Sequence, residues 1–127
     1  MRTPLDAAPL VAIVDDDDLI RVSLASLLRS FGVRAEAFSS AAGFLSVGPD
    51  RFDIVVSDLH MPGISGIELK RILSGREVPT PVIIITAYPE RASDLSRSDE
   101  GLQLLEKPVD GAQLITCIEK VLGRTIS

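Results

Sequence analysis

The sequence predicts an α/β fold, a doubly wound parallel sheet with helices on both faces, and three observations carry that prediction. Apolar runs without alternation recur at 10–14, 52–56 and 81–86, as in strands covered on both sides. Stretches with apolar residues at helical spacing separate them. The composition is 46% hydrophobic but only 4% aromatic, which suits Val, Ile, Leu and Ala packed between helices and a parallel sheet rather than an aromatic-rich sandwich. Alternating β and α units joined by right-handed crossovers give that layered architecture.

Each element follows in order. Residues 1–9 read as a flexible lead with no apolar h-region. After the first strand, 10–14, come four aspartates, Asp15, Asp16, Asp17 and Asp18, of which Asp17 or Asp18 caps a helix. That helix carries apolar residues at 20, 24, 27, 28 and 31 and closes at Gly32. Residues 33–38 alternate, as a half-buried, edge-like strand does, and Ser40 caps a short helix that stops before Gly48-Pro49. The third strand ends in Asp58 and a Pro62-Gly63 turn. Ser65 with Glu68 forms a capping box for a helix that turns Ile67, Leu69, Ile72 and Leu73 toward one side. The strand 81–86 is wholly apolar up to Thr86. In 89–101 only Ala92 and Leu95 are apolar, so any helix there is short or mobile. Residues 102–106 form the last strand, and Asp110 opens a helix with Leu114, Ile115, Ile118, Val121 and Leu122 before Gly123. The predicted domain is 10–123, with a short tail at 124–127.

Bulk properties narrow the function. A chain of 127 residues is one domain that buries roughly two thirds of its unfolded surface. A net charge of -5 argues against direct nucleic-acid binding, and no run is long enough to span a membrane. The lone Cys117 lies in a helical apolar pattern, reads as a buried small hydrophobe, and is compatible with a cytoplasmic setting.

In a doubly wound sheet the strand carboxyl ends gather where ligands bind. Asp15, Asp16, Asp58, Thr86 and Lys107 all stand at such ends. Clustered carboxylates repel unless a hard cation sits among them, and oxygen donors suit Mg²⁺. Lys107 and Thr86 would grip further oxyanion oxygens, leaving a carboxylate as a nucleophile toward phosphorus.

The wording VAIVDDDDLIRVSLASLL, IVVSDLHMPGISGIEL, PVIIITAY and LLEKPVD resembles the receiver domain of bacterial two-component response regulators, nearest the FixJ-type branch. The resemblance covers residues 10–122. It implies a flavodoxin-like sheet of order 2-1-3-4-5, with Asp58 as phosphoacceptor. Asp15, Asp16, Asp58 and the backbone carbonyl of His60 would hold Mg²⁺ or Mn²⁺, and Thr86, Ala87 and Lys107 would bind the phosphoryl group. His60 and Tyr88 occupy places that tune hydrolysis, and Lys107-Pro108 matches a bond that is usually cis. Implied partners are a histidine kinase or histidine phosphotransfer protein as donor, and a downstream effector or an output domain of the same protein, with a possible homodimer. The sequence departs from the family at Leu104, which stands where the switch aromatic usually lies. The coupled threonine-aromatic rearrangement at Thr86 and Leu104 is therefore not expected in its usual form, and the Ser/Asp-rich 89–101 leaves the usual signalling face open to question. Two rivals are weighed. A phosphatase of the haloacid dehalogenase type needs a second acid two residues after the nucleophile, where this chain has His60. A phosphorylation-independent binding module would keep the pocket as a relic.

Overall fold

The computed structural model describes residues 9–90 and 102–126, and the statements below concern those residues. Five strands, β1 (Leu10–Val14), β2 (Arg34–Phe38), β3 (Ile54–Asp58), β4 (Val82–Thr86) and β5 (Gln103–Glu106), form one sheet in the order β2-β1-β3-β4-β5. Every neighbouring pair is parallel. This is the doubly wound sheet that the sequence predicts.

Helices α1 (Asp18–Ser30), α2 (Ala41–Val47), α3 (Gly66–Ser74) and α4 (Gly111–Leu122) cover it. Because side chains alternate across a strand, the apolar runs feed two cores at once. Val11 and Ile13, Ile54 and Val56, and Ile83 and Ile85 pack with Leu24 and Leu28 of α1 and Leu114 and Ile118 of α4. The intervening Ala12, Val14, Val55, Val82 and Ile84 pack with Phe44 of α2 and Leu69 and Leu73 of α3. Both layers bury the central strands, all but Leu10 at the start of β1, so register slips by one residue would exchange the two cores and are disfavoured. Edge strand β2 is only partly buried, as its alternation predicts.

The helix ends follow their side chains. Asp17 Oδ1 accepts from the Leu19 and Ile20 amides and caps α1. Ser40 caps α2 through the Gly43 amide, and Ser65 with Glu68 makes the full capping box of α3. Asp110 caps α4 through the Ala112 amide, and Gly123 closes it in the left-handed region at φ 70°.

The structure corrects several expectations. Phe31 is not on the buried face of α1, because the helix ends at Ser30 and Phe31 turns outward in the C-cap, 39% exposed. Ile72 likewise leaves the buried side of α3, 42% exposed, while Leu69 and Leu73 are fully covered and Ile67 partly so. Strand β2 begins at Arg34 rather than Val33, and a turn of 3-10 helix at Pro49–Arg51, not anticipated, leads into β3. Cys117 is half-buried rather than buried, packed against the α1/α4 layer, and burial pushes its thiol pKa up. The short helix expected within 89–101 falls mostly on residues 91–101, outside the described ones.

Two leucines on α1 test this packing. Leu28→Ala, in a fully buried position, is expected to cost about 2–5 kcal/mol in urea unfolding. Leu19→Ala, at 79% exposure, should stay within about 0.5 kcal/mol. Equal losses at both positions would show α1 to be rotated on the sheet.

Candidate functional site

The pleat selects which strand-end residues meet. Ile13, Val56 and Leu105 belong to the α1/α4 layer, and two residues beyond each, Asp15, Asp58 and Lys107 leave the sheet on that same side. Lys107 Nζ lies 3.1 Å from Asp15 Oδ2 and 3.1 Å from Asp58 Oδ1. Carboxylate oxygens of Asp15, Asp16 and Asp58 come within 4.8 Å of one another. Asp15 is fully buried and Asp58 nearly so, while Asp16 faces solvent.

Burial penalises the ionised carboxylate of Asp58 and raises its pKa. The Lys107 contact pulls the other way, and the Asp15 and Asp16 charges push it up further. Burial opposes the charge on Lys107 as well, but the contacts with Asp58 and Asp15 outweigh it and raise the lysine pKa. Asp15 and Asp58 thus share one ammonium, with the Asp16 carboxylate beside them. The Lys107 ammonium at 3.1 Å is the one described partner of the buried Asp15 Oδ2, which leaves that oxygen with lone-pair capacity for a cation. An all-oxygen set with one exposed member fits a hard divalent ion that keeps several waters.

The response regulator receiver domain family matches residues 11–119 of this sequence. The chain belongs to that family. Among curated relatives, the transcriptional regulatory protein FixJ of Azorhizobium caulinodans is 40% identical over 121 residues, covering 91% of this chain and 56% of FixJ. FixJ of Rhizobium meliloti is 36% identical over 112 residues, covering 87% of this chain and 55% of that protein. This receiver therefore spans about half the length of the curated relatives it matches. Among solved structures, response regulator StyR has a TM-score of 0.80 at 36% identity, covering 92% of this chain and 60% of that one. A response regulator receiver protein from Burkholderia phymatum gives 0.77 at 36%, covering 92% of this chain and 97% of that one.

The remaining residues singled out from the sequence take distinct places around the receiver's acidic cluster. Thr86 is fully buried and follows Ile84, which puts it on the α2/α3 face, as is half-buried Leu104, the register partner of Ile84. Its Oγ1 accepts from the Tyr88 amide at 3.0 Å, so the hydroxyl is tied to its own loop. Ala87 is exposed and borders an apolar groove with Lys107 and Pro108. His60 and Tyr88, both exposed, approach edge to face with ring centres 6.5 Å apart, from the loops after β3 and β4. The Lys107-Pro108 bond is cis.

Three residues that sequence reasoning passed over also shape the site. Arg21 reaches back from α1 to the Asp15 carbonyl. Ser57, fully buried, donates its hydroxyl to the Asp58 carbonyl at 3.0 Å. Gly66 starts α3 directly against that carbonyl: a Cβ there would overlap Asp58 O and stand 3.0 Å from Ile84 Cδ1. The signal for Gly66 was present, because glycine is a poor helix former and sits here just after a capping serine.

Gly66→Ala is therefore expected to lose about 1–3 kcal/mol in denaturant unfolding, as overpacking does, although alanine is the better helix former. A gain in stability would mean that the β3 end yields freely. Asp58 makes a second prediction. Its folded-state pKa lies above the ordinary 3.8, so its ionisation weakens the Mg²⁺-free fold as pH rises through that window. Asp58→Asn should raise the melting temperature at pH 7 without Mg²⁺, and the advantage should vanish below about pH 3.8, where the wild-type carboxyl is protonated in both states. Calorimetric scans at the two pH values check it.

Proposed function

We propose that residues 10–123 act as a phosphorylation-controlled receiver, with Asp58 accepting a phosphoryl group from a phosphohistidine of a histidine kinase or phosphotransfer protein. The observation that supports this best is the convergence of the Asp15, Asp16 and Asp58 carboxylates, two of which pair with the Lys107 ammonium. A chain under no demand for phosphoryl chemistry has no use for three carboxylates crowded about one lysine, since the crowding weakens the fold. The phosphorylation-independent module is for that reason not favoured. Nor is a dehalogenase-type phosphatase, with His60 in place of the second acid.

In the transfer, an ionised Asp58 oxygen attacks phosphorus, the P–N bond to imidazole breaks, and the departing ring nitrogen keeps the electron pair and takes a proton. Mg²⁺, held by Asp15, Asp16, Asp58 and the His60 carbonyl, would neutralise charge on the phosphoryl oxygens. Lys107 supplies a second positive point, and because it already stands at Asp58 Oδ1 it needs little reorganisation to follow the incoming oxygens. The Ala87 amide and the Thr86 hydroxyl would complete the grip. Self-hydrolysis reverses the modification by attack of water on phosphorus, with His60 and Tyr88 at the rim controlling its approach.

The aspartyl phosphate carries a charge of about -2 at this sheet edge in place of the single charge of the carboxylate. Drawing the Thr86 hydroxyl inward means releasing the Tyr88 amide, so the loop after β4 moves with it. Leu104, lacking a ring, gives that movement a smaller lever on the neighbouring surface. The reading through an effector, an output domain of the same protein or a homodimer follows from that surface change, in the cytoplasm and without direct nucleic-acid contact by this domain. No helix among the described residues is long and apolar enough to cross a membrane.

Incubation with Mg²⁺ and a small acyl phosphodonor should add the mass of one phosphoryl group to the wild type and none to Asp58→Asn. Modification that survives in the variant, or none in either protein, would sink the assignment.

A further inference from the structure

Arg21 lies in the first turn of α1, three residues beyond Asp18, yet its side chain is only 17% exposed. Its Nη1 donates to the Asp15 carbonyl at 2.6 Å, and its Nη2 pairs with Asp18. Asp15 is held at every other polar atom too. Its amide donates to Phe38 O at 3.1 Å and its Oδ1 accepts from the Asp17 amide at 2.9 Å, while Oδ2 faces Lys107. Phe38 and Asp17 act through backbone, and Lys107 acts at the carboxylate. Arg21 is the side chain that fixes the peptide between Asp15 and Asp16.

That peptide matters because Asp16 is exposed and the described contacts give it no side-chain hydrogen bond to hold its place. Its direction is inherited from the backbone on which it stands. We propose that Arg21 is a positioning residue for the Mg²⁺ site, setting the Asp15-Asp16 peptide so that the two carboxylates converge with Asp58. This rests on the receiver reading above. Arginine suits the task because its planar fork reaches two acceptors at once, the Asp15 carbonyl and the Asp18 carboxylate, from one buried stem. A lysine would offer a single point charge.

The inference can be separated from simple electrostatics because the two carry opposite signs. A cation beside the site repels Mg²⁺, so if charge alone mattered, Arg21→Gln would bind Mg²⁺ more tightly and Arg21→Lys would bind it unchanged. If Arg21 positions the loop, Arg21→Gln should bind roughly tenfold more weakly, the usual loss when an outer support of a metal ligand is removed, and Arg21→Lys should fall between.

Isothermal titration with MgCl₂ alone, on wild type and both variants at one ionic strength, reads this directly. Circular dichroism melts without Mg²⁺ identify which variants are folded at the titration temperature, and a second buffer at lower temperature keeps a weakened variant measurable. Weaker binding in folded Arg21→Gln, with partial rescue in Arg21→Lys, supports the inference. Unchanged or tighter binding in Arg21→Gln overturns it while leaving the receiver reading intact. A wild type that binds no Mg²⁺ removes the metal reading and this inference together.

Discussion

Asp15 and Asp58 each stand 3.1 Å from one lysine nitrogen, with Asp16 beside them, so three negative charges meet a single positive one at a partly enclosed edge. Carboxylates so placed drift apart unless the segments that carry them are held by something stronger than their repulsion. Here that restraint is the sheet. Strands β1, β3 and β4 run through the middle of two apolar layers, and the acidic residues extend from their ends rather than from free loops. The pleat then decides the grouping, since Asp15, Asp58 and Lys107 share one face and Thr86 takes the other. The cores therefore fix both the position and the composition of the site.

The same crowding makes the site responsive. Burial and neighbouring charge raise the pKa of Asp58, which means that its ionised form is held at some expense to the fold. Anything that brings positive charge or spreads the negative charge relieves that expense, so ligand binding and stability are linked at this edge. Ser57 and Gly66 clamp the Asp58 carbonyl from two sides, one by a hydrogen bond and one by the absence of a side chain. Arg21 does the equivalent for Asp15.

How a change at Asp58 spreads is set by the sheet as well. Thr86 and Leu104 lie on the α2/α3 face, on adjacent strands, whereas the acidic cluster lies on the face of α1 and α4. Under the proposed receiver reading, a signal from Asp58 would cross the strand end by way of the loop after β4, where the Thr86 hydroxyl binds the Tyr88 amide. Rearranging that bond is a discrete step, and such local steps are what bistable switches use. In that reading the leucine at 104 would limit how far the step reaches, because a branched aliphatic chain that pairs with Ile84 has no ring to swing between two positions.

Sequence alone determined the order of the elements: unbroken apolar runs at 10–14 and 81–86, capping residues Ser40, Ser65 and Asp110 with either Asp17 or Asp18 for α1, and polar residues at the strand ends. Those features are local, written in periodicity and in side chains that bond their own backbone, so no distant contact was needed to see them. The acidic trio and its lysine were legible for a related reason, since a doubly wound sheet must bring its strand ends together. Only the tertiary structure decided the rest. Phe31 and Ile72 match a helical face in spacing, but whether a side chain is covered depends on where the helix stops and how it is rotated on the sheet. Thr86 could be placed at the edge but not on a face until the register was known. The roles of Arg21, Ser57 and Gly66 come from contacts with backbone carbonyls, and a sequence carries no mark of which carbonyl will lie within reach once the layers close.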